Sequence, residues 1–137
     1  MVKNIVTDEE FLKIVSTDLT KDELYIVEDL IDTLKIHLGH CVGMAANMIG
    51  YSKNAIVIVQ DNQQILPLIN PKIIEKKDPY LTSEGCLSLK GERDALRYQK
   101  IKVEYFDINF KKRIKTFTSF EAQIVEHEID HLFGIII

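Results

Sequence analysis

The chain has 137 residues, 46% of them hydrophobic and 28% charged, enough for one domain (residues 1–137) with a real core and no need of staples. Seventeen Lys and Arg against 21 Asp and Glu leave a net charge of −4, which argues against direct nucleic-acid binding. No apolar run approaches a membrane span, the start Met1-Val2-Lys3-Asn4 is no apolar signal segment, and Cys41 and Cys86 are too few for a disulfide framework, so a cytoplasmic protein is expected.

The first third reads as helical. Thr7 is placed to cap a short helix carrying Phe11, Leu12, Ile14 and Val15, and Thr20-Lys21-Asp22-Glu23 has the capping-box pattern. Leu24, Val27, Leu30, Ile31 and Leu34 then recur at helical spacing, with Gly39 as the stop. The middle changes period. Ala55 to Val59 is a buried-type strand, followed by a turn at Asp61-Asn62. Ile65 to Ile74 is extended, and Pro67 and Pro71 make it an edge or interrupted strand. Ile101, Val103 and Tyr105 alternate with Lys102, Glu104 and Phe106, and Asp107 to Lys111 turns into a partner strand, Arg113 to Phe117. Thr118 with Glu121 opens a last helix through Phe120, Ile124, Glu128 and His131. Helix, several antiparallel strands, then helix is an α+β pattern.

Three segments carry chemistry. His127-Glu128-Ile129-Asp130-His131 sets two histidines four apart on one helix face, close enough to ligate one metal ion. Glu128, one residue after the first histidine, can reach a metal-bound water as a general base. The plain alternative is a surface helix with two stray histidines. Two histidines leave a catalytic metal short of a ligand, and Glu84-Gly85-Cys86-Leu87-Ser88 offers a thiolate, although a single Cys is more often a buried small residue. In Cys41 to Gly50, small residues between glycines point to a close backbone approach, to a ligand or to another element.

Together these segments resemble the peptide deformylase family, with its Gly-x-Gly-hydrophobic-Ala-Ala-x-Gln-x-Gly, Glu-Gly-Cys-Leu-Ser and Gln-His-Glu-x-Asp-His-Leu-x-Gly motifs. Here they stand at Cys41 to Gly50, Glu84 to Ser88 and Glu126 to Gly134, and the likeness extends to Asn70-Pro71 and to Arg97 with the strand behind it. The resemblance implies an α+β fold whose antiparallel strands pack around a central metal-binding helix. It implies Cys86, His127 and His131 as metal ligands, Glu128 as acid/base, and the backbone N–H of Leu87 as an oxyanion donor. It places Cys41, Gly43, Met44, Met48, Gly85 and Arg97 on the substrate side. One divalent ion is implied, Fe²⁺ first, with Zn²⁺ or Ni²⁺ tolerated, and an N-formyl peptide or nascent chain as the partner.

The departures fall away from the ligands. The motif glutamine is Met48, and a thioether cannot donate a hydrogen bond to an oxyanion. A slower deformylase is therefore expected, with a silent metal- or peptide-binding homologue, or a hydrolase of another amide or formyl substrate, as alternatives. The motif's first glycine is Cys41, whose side chain narrows the cleft. Glu126 replaces a glutamine and adds a negative charge, and Lys90 replaces the usual proline. Asn47, read as part of an extended segment, is expected to point away from Met48. The sequence runs six residues past His131, so the C-terminal helix that some members use at the ribosome is not expected.

Overall fold

The computed structural model describes residues 1–137. Helix α1 (Glu9–Leu12) is a single turn, capped by the Asp8 carboxylate on the Glu10 N–H at 3.0 Å. Thr7 lies just outside it. The helix stops at Leu12 because the Ser16 N–H is taken by the Leu132 carbonyl, which leaves Ile14 and Val15 exposed. The Glu23 carboxylate accepts from the Thr20 N–H at 3.0 Å and opens a 3₁₀ turn (Lys21–Glu23) into α2 (Leu24–Lys35). Regular helix ends at Lys35 rather than at Gly39, and the chain continues in turns to His40.

Five strands follow in a meander: β1 (Gly43–Ala45), β2 (Ala55–Val59), β3 (Ile65–Cys86), β4 (Leu89–Phe106) and β5 (Lys112–Thr118). Each pairs antiparallel with the next, so spatial order equals chain order. The two prolines are accommodated as expected of an interrupted strand. Pro67 lies in the part of β3 that faces β2, before the pairing with β4 takes over at Ile69, and Pro71 lies within a register shift between Ile69 and Lys72. The Asn70 side chain fills that break, exchanging hydrogen bonds with the backbone of Leu19 at 2.8 and 3.1 Å.

Helix α3 (Ser119–Leu132) is the centre of the molecule, with nine of its 14 residues buried. It packs on β1, β2, β4 and β5, which is the expected arrangement of strands around the histidine-bearing helix. Burial on most sides explains why a single apolar stripe understated it. Its start differs in detail: Thr118 holds the cap position without a side-chain bond, and Glu121 accepts from the Asp61 N–H at 2.7 Å instead of closing a capping box. Ile26, Leu30 and Leu34 of α2 meet Ile56, Ile58 and Val125 in one continuous core. No helix is long and apolar enough to cross a membrane.

Candidate metal centre

His127 and His131 lie one turn apart on α3, with their Nε2 atoms 3.2 Å from each other. Cys86 reaches them from the end of β3, its Sγ 3.2 Å from His131 Nε2. The strand is bent there by a register shift: Gly85 pairs with Glu92 and Cys86 with Leu89, so Lys90 and Gly91 bulge out of β4. Gly91 has φ +78°, a conformation glycine takes without strain. This bulge turns the thiol onto the helix. The three ligand atoms lie within 4.8 Å of one another, and one sulfur with two imidazole nitrogens suits a borderline divalent cation.

The histidines are held from behind. His127 Nδ1 donates to Glu84 Oε1 at 2.7 Å, which fixes the ring with Nε2 turned toward Cys86 and His131. Glu84 is held in turn by Arg97, through two bonds of 2.9 and 2.7 Å, and by Gln123 at 2.9 Å. Burial would raise the Glu84 carboxyl, but the His127 and Arg97 hydrogen bonds prevail and hold it at about 2. Burial, with His127 and Arg97 nearby, pushes His131 down to about 3 and keeps its imidazole neutral. Asn47 donates to the His131 carbonyl at 2.8 Å. It sits in a 3₁₀ turn (Ala46–Ile49) rather than an extended segment, and its side chain is thereby committed to α3.

A cleft of about 510 Å³ opens onto this centre. Cys41, Gly43, Met48, Gly85, Leu87 and Glu128 line it. Two expected substrate-side residues do not. Arg97 is 3% exposed, and its guanidinium is occupied by Glu84 and, at 2.7 Å, by Asp130, so it braces the ligand helix instead. Met44 points into the core, because β1 is buried on both faces. Sequence reading did not single out Glu84. The available signal was its spacing, since residues two apart on a strand share a face and Glu84 stands two before Cys86.

Glu128 is 5% exposed, its Oε1 has no partner, and burial pushes its carboxyl up to about 7. It is the cleft residue suited to give and take a proton near neutral pH. Gly43 makes room for it. A Cβ at Gly43 would stand 2.7 Å from Ile124 Cγ2 and 3.0 Å from Glu128 Oε2, so the close approach is to the helix. Gly43→Ala is expected to displace the Glu128 carboxylate, lowering kcat by about 10²-fold and destabilising by roughly 1–3 kcal/mol. Steady-state kinetics beside a denaturation curve check it. An unchanged kcat means the helix absorbs the methyl group without moving Glu128.

Leu87 and Ser88 form the turn between β3 and β4, and no backbone or side-chain acceptor takes the Leu87 N–H. The Cys41 thiol donates to the Gly43 carbonyl at 3.0 Å, and burial pushes it up to about 11, so it stands as a neutral wall of the cleft. Glu126 does not add the full charge expected of it. Its Oε1 accepts from the Tyr98 N–H at 2.9 Å and burial pushes the carboxyl up to about 7.

A Cys/His/His triad beside a buried glutamate, on a helix wrapped by antiparallel strands, has the features of a mononuclear metal-dependent hydrolase. The polypeptide deformylase family model matches residues 2–137. A peptide deformylase of Clostridium beijerinckii is 50% identical over 137 residues, covering 100% of both chains. One of Thermoanaerobacter pseudethanolicus is 36% identical over 121 residues, 88% of this chain and 74% of that one. Among solved structures, a class I type b peptide deformylase of Acinetobacter baumannii with Met-Ala-Ser bound superposes with a TM-score of 0.87 at 27% identity, covering 99% of this chain and 96% of that one. The peptide deformylase of Thermotoga maritima gives 0.88 at 25% identity, covering 99% and 95%. The chain belongs to the peptide deformylase family.

Proposed function

We propose that residues 1–137 act as one deformylase domain that removes the N-formyl group from formyl-Met peptides or nascent chains in the cytoplasm. Cys86, His127 and His131 would hold one divalent ion, Fe²⁺ first and Zn²⁺ or Ni²⁺ as alternatives, since thiolate with imidazole accepts all three. The observation that carries the reading is Glu128, a buried, partly unpartnered carboxylate facing the cleft beside the triad. When bound, the ion would supply Lewis-acid chemistry there, making water more acidic and polarising the formyl oxygen. Glu128 takes the proton of the attacking water and passes it to the leaving amine nitrogen. The Leu87 N–H donates to the oxygen on which charge develops. Met48, Leu87, Phe120 and Ile124 give the cleft an apolar wall fit for an unbranched apolar side chain. Release of formate from formyl-Met-Ala-Ser by the Fe²⁺-loaded protein, with acetyl-Met-Ala-Ser untouched, is the test. Formyl peptide left intact by the loaded protein would favour a binding role.

The finer part of the proposal is rate. Met48 is buried, lines the cleft, and its sulfur lies 3.4 Å from the Ala45 N–H. It offers that N–H a weak acceptor and the cleft no donor. In Met48→Gln the amide oxygen can take the Ala45 N–H while the NH₂ faces the cleft. We expect kcat to rise by about 10²–10³-fold, the usual worth of one oxyanion donor, with a smaller change in KM. Cys41→Gly in the same chain removes the thiol from the cleft wall. If the metal-loaded double variant is no faster than the parent, the missing donor does not limit turnover.

A further inference from the structure

The four histidines of the chain fall into two pairs, and only His127 and His131 belong to the catalytic centre. The other pair stands in the turns after α2. His37 Nδ1 and His40 Nε2 face each other at 3.2 Å, the same separation as the two catalytic Nε2 atoms. Two imidazole nitrogens each about 2.0–2.1 Å from one ion, at a near-tetrahedral angle, stand about 3.3 Å apart, so both pairs have the span of a chelate. The rings meet edge to face, 82° apart for His37 and His40 and 66° for His127 and His131. His37 is half-buried and His40 exposed, and neither ring has another hydrogen-bond partner in the protein. A lone N–H···N bond in such a wet place competes with water and contributes little. His40 also lines the mouth of the catalytic cleft.

From this geometry we infer that His37 and His40 form a second metal-binding pair at the cleft mouth, suited to a borderline cation such as Zn²⁺, Ni²⁺ or Cu²⁺. Water completes the coordination, because no third protein ligand lies within reach of the pair. The inference does not depend on the deformylase reading, since neither residue takes part in it.

The experiment starts from protein loaded with one equivalent of Zn²⁺, so that the catalytic triad is filled, and raises free Zn²⁺ in equilibrium dialysis. Two equivalents per chain are expected for the parent and one for the His37→Ala/His40→Ala double variant. In the parent, the second equivalent should shift the imidazole resonances of His37 and His40 while those of His127 and His131 stay where the first left them. A parent that stops at one equivalent, or a double variant that still takes two, overturns the inference. Loss of the first equivalent in His131→Ala with the second retained keeps the two sites distinguishable.

Discussion

Glu128→Gln is expected to lower formyl-peptide turnover by about 10²–10⁴-fold while the protein still binds one equivalent of metal. The separation follows from position. Glu128 is not one of the three ligand atoms, and the amide fills the same buried space beside Gly43 and Ile124. What is lost is the proton acceptor, on a carboxyl that burial holds at about 7. An amide can neither take a proton from water nor return one to the departing amine. Metal content by elemental analysis, paired with formate release, reads both halves. Near-parental turnover in the metal-loaded variant would mean that the proton moves through another group.

His131→Ala should remove the metal and, with it, all hydrolysis. His131 is 0% exposed and supplies Nε2 at 3.2 Å from both partner ligand atoms, so its loss leaves one thiolate and one imidazole. The fold should also weaken, for two separable reasons. One is the cavity left where the ring was, present with or without metal. The other is linkage: a ligand that binds only the folded state stabilises it by about 2.7 kcal/mol at a hundred times its dissociation constant. Comparing melting temperatures with and without added metal separates them. The parent should show a metal-dependent rise and His131→Ala none, while both lie above the temperature of the assay. Full metal occupancy in His131→Ala would remove it from the ligand set.

Gly43 shows how a correct reading of spacing still left its meaning open. Small residues at Cys41 to Gly50 pointed to a close approach, to a ligand or to another element, and the geometry at Gly43 answers with the second: Ile124 and Glu128 of α3 occupy the place of a side chain. Arg97 shows the opposite error. The family likeness carried it to the substrate side, whereas Glu84 and Asp130 consume its guanidinium. Met44 fails for a simpler reason, since a three-residue strand buried on both faces has no solvent-facing alternation to read.

What the amino-acid order determined alone was local. The i, i+4 histidines on α3, the strand at Ala55–Val59, the turn at Asp107–Lys111 and the disruption of β3 by its prolines all depend on contacts or dihedral limits within a few residues. The metal triad was legible only in part that way, because Cys86 lies 41 positions before His127 and was tied to it by family likeness. Tertiary structure decided the rest. The bulge at Lys90–Gly91 aims the thiol, and the β3–β4 ribbon brings Arg97 onto Glu84 and Glu84 onto His127. The burial that raises the Glu128 carboxyl to about 7 exists only once four strands close around its helix. Those properties belong to distant segments meeting, and desolvation is a sum over all of them, which no window along the chain contains.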